Sequence, residues 1–279
     1  IAAARLRRGN IDSGHGAGRL VADTVATLRR ATDTALVLVR ADSAYYGHEL
    51  VAAARTAGAR FSVTARMNPA VTRAIATIPD TSWVPIRYPH AIWDEHQQAW
   101  ISDAEVAETT LTAFTSRRTA DHVTARLIVR RVTRLNPHTP AQGELLPGYR
   151  YHAVFTDNPM PLIEAEACHR DHAIIEAVIA DLKDGPLAHA PSGVFTANAA
   201  WLVLACIAHN LTRAAGRTAT AVLGRARTAT VRRTLIHVAA RISNTARHWI
   251  LHLPRDWPWH AEITTLYNTA LAPPRPATT

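Results

Sequence analysis

The sequence has 279 residues, of which 48% are hydrophobic, and its charged residues give a formal net charge of +9. This length and apolar fraction are ordinary for a globular chain with a real core, either one large domain or one domain with a sizeable insertion. Two cysteines without paired spacing, Cys168 and Cys206, exclude a disulfide framework and fit a reducing cytoplasm. The longest apolar run, residues 199–208, is too short to span a membrane.

The positive charge favours a polyanionic partner, with nucleic acid ahead of a membrane surface. The alternative is that the base composition of the genome favours arginine, which would produce the same net charge without any polyanionic partner. The arginines are spread along the chain, as this alternative predicts. Both interpretations stay open at this point.

The first third of the chain predicts a βαβ unit. A helix is expected over residues 18–30, and residues 1–8 are a candidate strand. The aliphatic run at residues 35–39 is typical of a strand covered on both faces. A helix is expected over residues 48–57, with Gly58 as its cap, and a second strand over residues 61–65. Strand, helix and strand within about thirty residues predict that the two strands are parallel.

Asp42 comes just past the carboxyl end of the first of these strands. Open α/β sheets place ligands and catalytic groups at that end of the sheet. The alternative is that Asp42 only caps the following turn. The position alone does not decide between the two.

From about residue 67 to residue 166 the sequence predicts mainly β structure. A short helix at residues 69–78 and a hairpin at residues 93–100 precede a strand with clear alternation, residues 122–132, and one more strand at residues 149–156. The alternation predicts a half-exposed antiparallel sheet. The arginines of this segment either follow a phosphate backbone or lie on a solvated strand face. The solvated face is the favoured interpretation for each of the six: Arg117, Arg118, Arg126, Arg130, Arg131 and Arg134.

Residues 168–183 predict one helix, because their apolar residues recur at helical spacing. On a wheel of about 100° per residue, His169, His172, Glu176 and Lys183 share one narrow stripe beside the apolar face. Lys183 is the only lysine in the chain. After it, the sequence predicts a mostly buried helix over residues 198–215, a hairpin over residues 235–253 closed near residue 243, and a last helix near residues 263–271.

Asp42 at a strand end and Glu176 on a helix can converge across a sheet. Carboxylates a few ångström apart repel each other, and oxygen ligands favour Mg²⁺ or Mn²⁺ over zinc. Two such ions about 4 Å apart activate a water or a 3′-hydroxyl in phosphoryl transfer. Lys183 lies about 10 Å along the helix from Glu176 and can neutralise a nearby phosphate. A zinc site from Cys168, His169 and His172 is disfavoured, since no second ligand pair is apparent.

The segments at residues 38–47, 59–67, 169–183 and 197–202 resemble the DDE-type transposases of bacterial insertion sequences, most closely the group described as transposase DDE domain, group 1. The resemblance extends to about Trp259. It implies an α/β, RNase H-like fold, a mixed central sheet flanked by helices, with a β-rich insertion before the last acidic residue. The implied domains are residues 1–66, the first part of the catalytic core without its first strands; 67–160, the insertion; 161–216, the second part of the core; and 217–279, a C-terminal extension.

In this resemblance, Asp42 matches the second aspartate of the family and Glu176 its glutamate, so both are expected to be catalytic metal ligands. The family's helix motif runs tyrosine, arginine, glutamate and lysine at fixed spacing. His169 stands at the tyrosine position and His172 at the arginine position, while Lys183 matches the lysine. DNA contacts are expected from four residues of this segment: His169, Arg170, His172 and Lys183.

The resemblance implies metal-dependent DNA strand cleavage and strand transfer at transposon ends, with a two-metal site of Mg²⁺ or Mn²⁺ in the complete enzyme. The implied partner is double-stranded DNA, both transposon ends and target, with a homodimer on DNA as one possible arrangement and no membrane. The implied location is the bacterial cytoplasm, at the nucleoid.

No residue matches the family's first aspartate, which lies upstream of a segment like residues 1–8. The chain is therefore expected to be an N-terminally truncated transposase with weak activity or none. The alternative is a catalytically inactive DNA-binding remnant or a repurposed module. A generic RNase H-like nuclease is disfavoured by the spacing of Lys183 and by the long insertion.

Overall fold

The computed structural model describes residues 1–32, 36–86, 93–94, 99–100, 104–133, 149–171, 173–245 and 248–272. The chain divides into two compact units. The N-terminal unit consists of residues 7–173 together with Ala2, and the C-terminal unit consists of the chain from Ile174 onward together with Ile1 and Ala3–Leu6.

A six-stranded mixed sheet forms the centre of the N-terminal unit. Its strands are β1 (Leu38–Ala41), β2 (Arg60–Thr64), β3 (Val84–Ile86), β6 (Ala104–Ala113), β7 (Val123–Thr133) and β8 (Tyr149–Thr156). Between β3 and β6, the two short strands β4 (Trp93–Asp94) and β5 (Ala99–Trp100) pair as the predicted hairpin. The strand order is β1-β2-β8-β7-β6-β3. The β1–β2 pair is parallel, as predicted, and the other neighbours in the sheet are antiparallel.

The helices of the N-terminal unit are α1 (Ala17–Ala31), α2 (His48–Thr56), α3 (Pro69–Ala76) and α4 (Leu162–Arg170). Helix α2 connects β1 to β2 and ends before Gly58, whose φ of 69° is the left-handed cap conformation predicted for it. Gly18 lets α1 approach α2 closely, since a Cβ atom there would lie 2.9 Å from Glu49 Cγ. The strand predicted for residues 1–8 is wrong. That segment is rich in Ala and Arg, and Ile1 is its one β-branched residue of the kind that favours strands.

Apolar side chains are buried on both faces of the sheet. One face carries the larger core, which includes Phe61, Phe155 and Leu127. On the other face, Ile128 and Val154 are buried in a smaller core with helix α4. The half-exposed sheet predicted from the alternation of β7 is therefore wrong along the middle of the strand, because α4 covers the face that the pattern assigned to solvent.

The C-terminal unit is mainly helical. It contains α5 (Ala173–Lys183, from Ile174), α6 (Phe195–Ala219), α7 (Thr228–Val231) continued by a π-turn at Arg232–Ile236, β9 (Arg241–Thr245), β10 (His248–His252) and α8 (His260–Leu271). A small core joins the end of α6 and α7 to α8. The predicted hairpin exists but is shorter, because residues 235–236 are helical. The predicted closure is wrong, since Ser243 and Asn244 pair within the ladder.

Helix α6 was predicted to be mostly buried, and this prediction is wrong. Leu204, Ile207 and Leu211 are 59%, 50% and 66% exposed, whereas Cys206 and His209 on another side are buried. Composition revealed that the helix is apolar, but it did not reveal which face would be covered. Within the described residues, α6 is the one helix that is long and apolar enough to cross a membrane. Core helices of soluble proteins can have the same length and composition, so this feature is weak evidence for a membrane span.

Candidate active site

Asp42 lies at the carboxyl end of β1 and is exposed. It caps the short 3₁₀ turn Ser43–Tyr45, where its Oδ1 accepts a hydrogen bond of 2.9 Å from the Ala44 N–H. Arg66 holds the same turn by donating to the Ser43 and Ala44 carbonyl oxygens. Within the described residues, Oδ2 of Asp42 has no protein hydrogen-bond partner. Capping therefore occupies one carboxylate oxygen and leaves the other available to a ligand.

The neighbouring strand is fixed at this same sheet edge by His169. The β1–β2 register pairs Ala41 with Val63, so Thr64 is the next residue on the strand beside Asp42. The Nε2 of His169 lies 3.0 Å from Thr64 Oγ1, and its Nδ1 lies 2.8 Å from Ser62 Oγ. The ring is buried. Hydroxyls donate or accept as needed, so they satisfy either neutral tautomer. These bonds attach the end of α4 to β2.

The single helix predicted over residues 168–183 is wrong, because the structure contains two helices there. Helix α4 ends at Arg170, where Asp171 is the C-cap, and α5 begins at Ala173. Aspartate is a poor helix-interior residue, which is a local reason for a stop at this point. A helical wheel therefore cannot be continued from His169 to Glu176. His172 lies outside the described residues.

Glu176 and Lys183 do share one helix. Glu176 lies in the first turn of α5 and Lys183 in its last turn, and both are exposed. Seven residues of α-helix place them on nearly the same side, about 10 Å apart along the axis. The apolar face predicted beside them is only partly buried, since Leu182 is buried while Ile175 and Ile179 are exposed.

Asp42 belongs to the N-terminal unit and Glu176 to the C-terminal unit. Their convergence on one cation therefore stays a prediction. In the described part of the chain, no group of three or more His, Cys, Asp or Glu side chains is arranged to hold a metal ion. The zinc alternative gains no support, because hydroxyls engage both ring nitrogens of His169.

Several arginines of the N-terminal unit are held in internal ion pairs. Arg126 binds Glu108, and Arg131 binds Glu105. Arg130 binds the buried Glu166 at 3.1 Å. Arg170, for which a DNA contact was predicted, lies 3.4 Å from the same Glu166. The i,i+4 spacing of Glu166 and Arg170 is typical of ion pairs within one helix, so the sequence could have indicated this pair. Arg130 lies 36 residues away from Glu166, and no local pattern indicates that contact.

Comparison with known proteins adds one finding to this geometry. The sequence model of a family described as transposase DDE domain group 1 matches residues 1–273. A search of curated proteins finds no significant match to the sequence.

Proposed function

Because the chain belongs to the transposase DDE domain group 1 family, we propose that Asp42 and Glu176 are two ligands of a metal-dependent DNA-cleaving site. Transposases of this family act on DNA and generally use a divalent metal. The reaction we propose for the complete enzyme is strand cleavage at transposon ends in double-stranded DNA, followed by strand transfer to target DNA.

The observation that carries this proposal is the position of Asp42. Its carboxylate follows a strand of a parallel pair, which is the edge where α/β sheets bind ligands. The Ala44 contact orients one carboxylate oxygen and leaves the other free among the described residues. The oxygen chemistry fits Mg²⁺ or Mn²⁺.

The connection between His169 and Glu176 supports a role for Glu176 at the same edge. The hydrogen bonds from His169 attach α4 to β2, the strand next to the one that Asp42 follows. Adjacent strands lie about 4.8 Å apart. Seven residues separate His169 from Glu176, so their Cα atoms lie at most about 25 Å apart. The short connection limits how far Glu176 can lie from Asp42.

In the proposed site, Asp42 and Glu176 would hold the cation, and the bound metal would activate the attacking oxygen and stabilise the leaving oxygen. Lys183, exposed on the same side of α5, binds a DNA phosphate near the cleaved bond. A DNA contact by Arg170 stays a prediction, as does one by His169, whose buried and doubly bonded ring favours an anchoring role instead.

We further propose that the fold is RNase H-like, with the six-stranded mixed sheet of the N-terminal unit and its helices as part of the catalytic core. Homodimerisation on DNA and a location at the bacterial nucleoid belong to the same proposal.

A second candidate function is a DNA-binding remnant without catalysis. The observation that favours it is that, in the described part of the chain, no group of three or more His, Cys, Asp or Glu side chains is arranged to hold a metal ion. The two candidates differ in one respect that can be measured. With Mg²⁺, the full-length protein nicks DNA in the first case, and it binds DNA without nicking in the second.

Asp42→Asn in the full-length protein is expected to reduce Mg²⁺-dependent nicking of transposon-end DNA by roughly a hundred-fold or more. Loss of a metal ligand removes several kcal/mol of transition-state stabilisation, and about 1.4 kcal/mol corresponds to tenfold in rate. The asparagine oxygen still accepts from the Ala44 N–H, so the turn is kept. Nicking of supercoiled plasmid measures the effect.

Asp12→Asn is the matched control. Asp12 is also exposed, and its Oδ2 accepts a hydrogen bond of 3.2 Å from the Gly14 N–H two residues on. It thus shares the local geometry and the charge change of Asp42. The proposal requires nicking to survive in the Asp12 variant and to be lost in the Asp42 variant. Equal rates in both would overturn the role of Asp42.

A further inference from the structure

The net positive charge of this chain arises from one segment that contains no carboxylate side chain. Residues 185–255 contain nine arginines and no aspartate or glutamate. All 22 acidic residues of the chain lie outside this segment, together with the other 22 lysines and arginines. The segment therefore carries the whole net charge of +9, and the rest of the chain is neutral by count. Composition set by the genome would raise arginine throughout, but it would not remove every carboxylate from 71 consecutive residues.

The arginines of this segment differ in their partners from those of strand β7. On that strand, Arg126, Arg130 and Arg131 each bind a glutamate. We define the arginine surface as four exposed residues of the C-terminal unit: Arg217, Arg225, Arg232 and Arg233. Among the described residues, none of these four has a carboxylate partner, and the one arginine beside them that does is Arg227, bound to Asp184.

An ordered backbone presents the arginine surface. The turn between α6 and α7 packs so closely on Gly216 that an added Cβ would lie 2.8 Å from the Leu223 carbonyl oxygen. Arg213 donates to the carbonyl oxygens of Gly224 and Ala226 on the same turn. The Trp257 indole N–H donates to the Thr234 carbonyl oxygen at 2.9 Å. The four arginines therefore belong to an ordered part of the backbone and not to a loose tail.

Helix α5 is bound to this region through Asp181. The Asp181 carboxylate accepts from the Thr228 N–H at 3.1 Å and from the Thr228 hydroxyl at 2.9 Å. It also lies 3.6 Å from Nδ1 of His209. Burial lowers the pKa of this histidine, and the negative charge of Asp181 opposes that shift. Asp181 is five residues beyond Glu176 on α5. The arginine surface and Glu176 are thus parts of one connected framework within the C-terminal unit.

We infer that the arginine surface binds the sugar–phosphate backbone of double-stranded DNA, independently of base sequence, and so holds DNA beside the helix that carries Glu176. Arginines without carboxylate partners release counterions when they contact phosphates, which is the main source of non-specific DNA affinity. The inference takes DNA as the partner from the family of the chain. It does not depend on metal binding by Asp42 or Glu176.

The test replaces the four arginines of the surface by glutamine in the full chain and measures duplex DNA binding by fluorescence anisotropy over a salt series. Each phosphate contact contributes about 0.9 to the slope of log K against log salt. The slope is expected to fall by about 3 to 4, and the affinity at 0.1 M salt is expected to fall at least a hundred-fold.

A control variant carries glutamine at four exposed arginines of the N-terminal unit: Arg19, Arg55, Arg73 and Arg150. Its net charge changes by the same amount, and its slope is expected to change by less than about 1. Circular dichroism melting checks the folding of both variants. If the fourfold surface variant does not fold, Arg217→Gln and Arg233→Gln are measured singly, with an expected slope change of about 1 each.

Equal losses of DNA affinity in the surface variant and in the control variant would overturn the inference, because net charge alone would then explain DNA binding. Unchanged DNA binding by the surface variant would also overturn it, and loss of binding to anionic lipid vesicles instead would identify a membrane-facing surface. The catalytic proposal fails separately. If Glu176→Gln leaves nicking intact while the surface variant loses DNA binding, the metal site is wrong and the arginine surface stands.

Discussion

Glu176→Gln is expected to reduce metal-dependent nicking by the full-length protein roughly a thousand-fold. The glutamine keeps the size of the side chain and its place in the first turn of α5, but it removes the charge that would hold the cation. Losing about 4 kcal/mol of transition-state stabilisation corresponds to this factor. Single-turnover nicking of transposon-end DNA with Mg²⁺ measures it, and the affinity for that DNA should change little.

Glu164→Gln is the control for this substitution. Glu164 is also an exposed glutamate in the first turn of a helix, α4, and the account assigns it no role. Its variant should nick DNA at the unmodified rate. If Glu176→Gln nicks as fast as Glu164→Gln, Glu176 is not a metal ligand, and the resemblance of its helix to the family motif has no catalytic meaning in this chain.

Glu166→Ala is expected to destabilise the N-terminal unit by about 3–5 kcal/mol, the usual cost of removing one partner from a buried ion pair. The Glu166 side chain is 6% exposed and faces both Arg130 and Arg170. Its removal takes this carboxylate away from the guanidinium groups of both Arg130 on β7 and Arg170 on α4. Urea denaturation followed by circular dichroism gives the change in the free energy of unfolding.

The control for Glu166 is Glu108→Ala. The Glu108 side chain is 41% exposed and pairs with Arg126. Water screens such pairs, so its removal should cost less than about 1 kcal/mol. Similar losses from the two substitutions would mean that burial does not decide the strength of these pairs, and that Glu166 does not fasten α4 to the sheet.

The sequence predicted those parts of the fold that depend on local pattern. The βαβ unit of β1, α2 and β2 is one such part. Two apolar segments separated by a helical pattern predicted two parallel strands with a crossover helix between them. The capping role of Gly58 follows from its place after a helical pattern. The pairing of β2 with β8 joins Ser62 to Thr156, and no local pattern encodes a contact across that distance.

Burial was the harder prediction, because it depends on what covers a face. The alternation of β7 gave no sign that α4 would cover its second face, and the apolar residues of α6 gave no sign that Leu204 and Leu211 would be exposed. The break before α5 had one local signal, Asp171, and the apolar periodicity of the residues that follow it concealed this signal.

For the candidate site, position after a strand was enough to select Asp42, whereas Glu176 was selected by resemblance. The hydroxyl partners of His169 lie more than a hundred residues away in the chain, so only the structure could reveal them. The same limit applies to the meeting of Asp42 with Glu176. It depends on how two units pack together, and sequence spacing sets an upper limit on their separation but does not determine that packing.

The most direct measurement is a crystal structure of the full-length protein grown with Mn²⁺. We expect an anomalous Mn²⁺ peak within about 2.0–2.3 Å of an oxygen from Asp42 and of one from Glu176. The two carboxylates should then be separated by roughly 4–8 Å. Carboxylates more than about 12 Å apart, with no ion shared between them, would contradict this expectation.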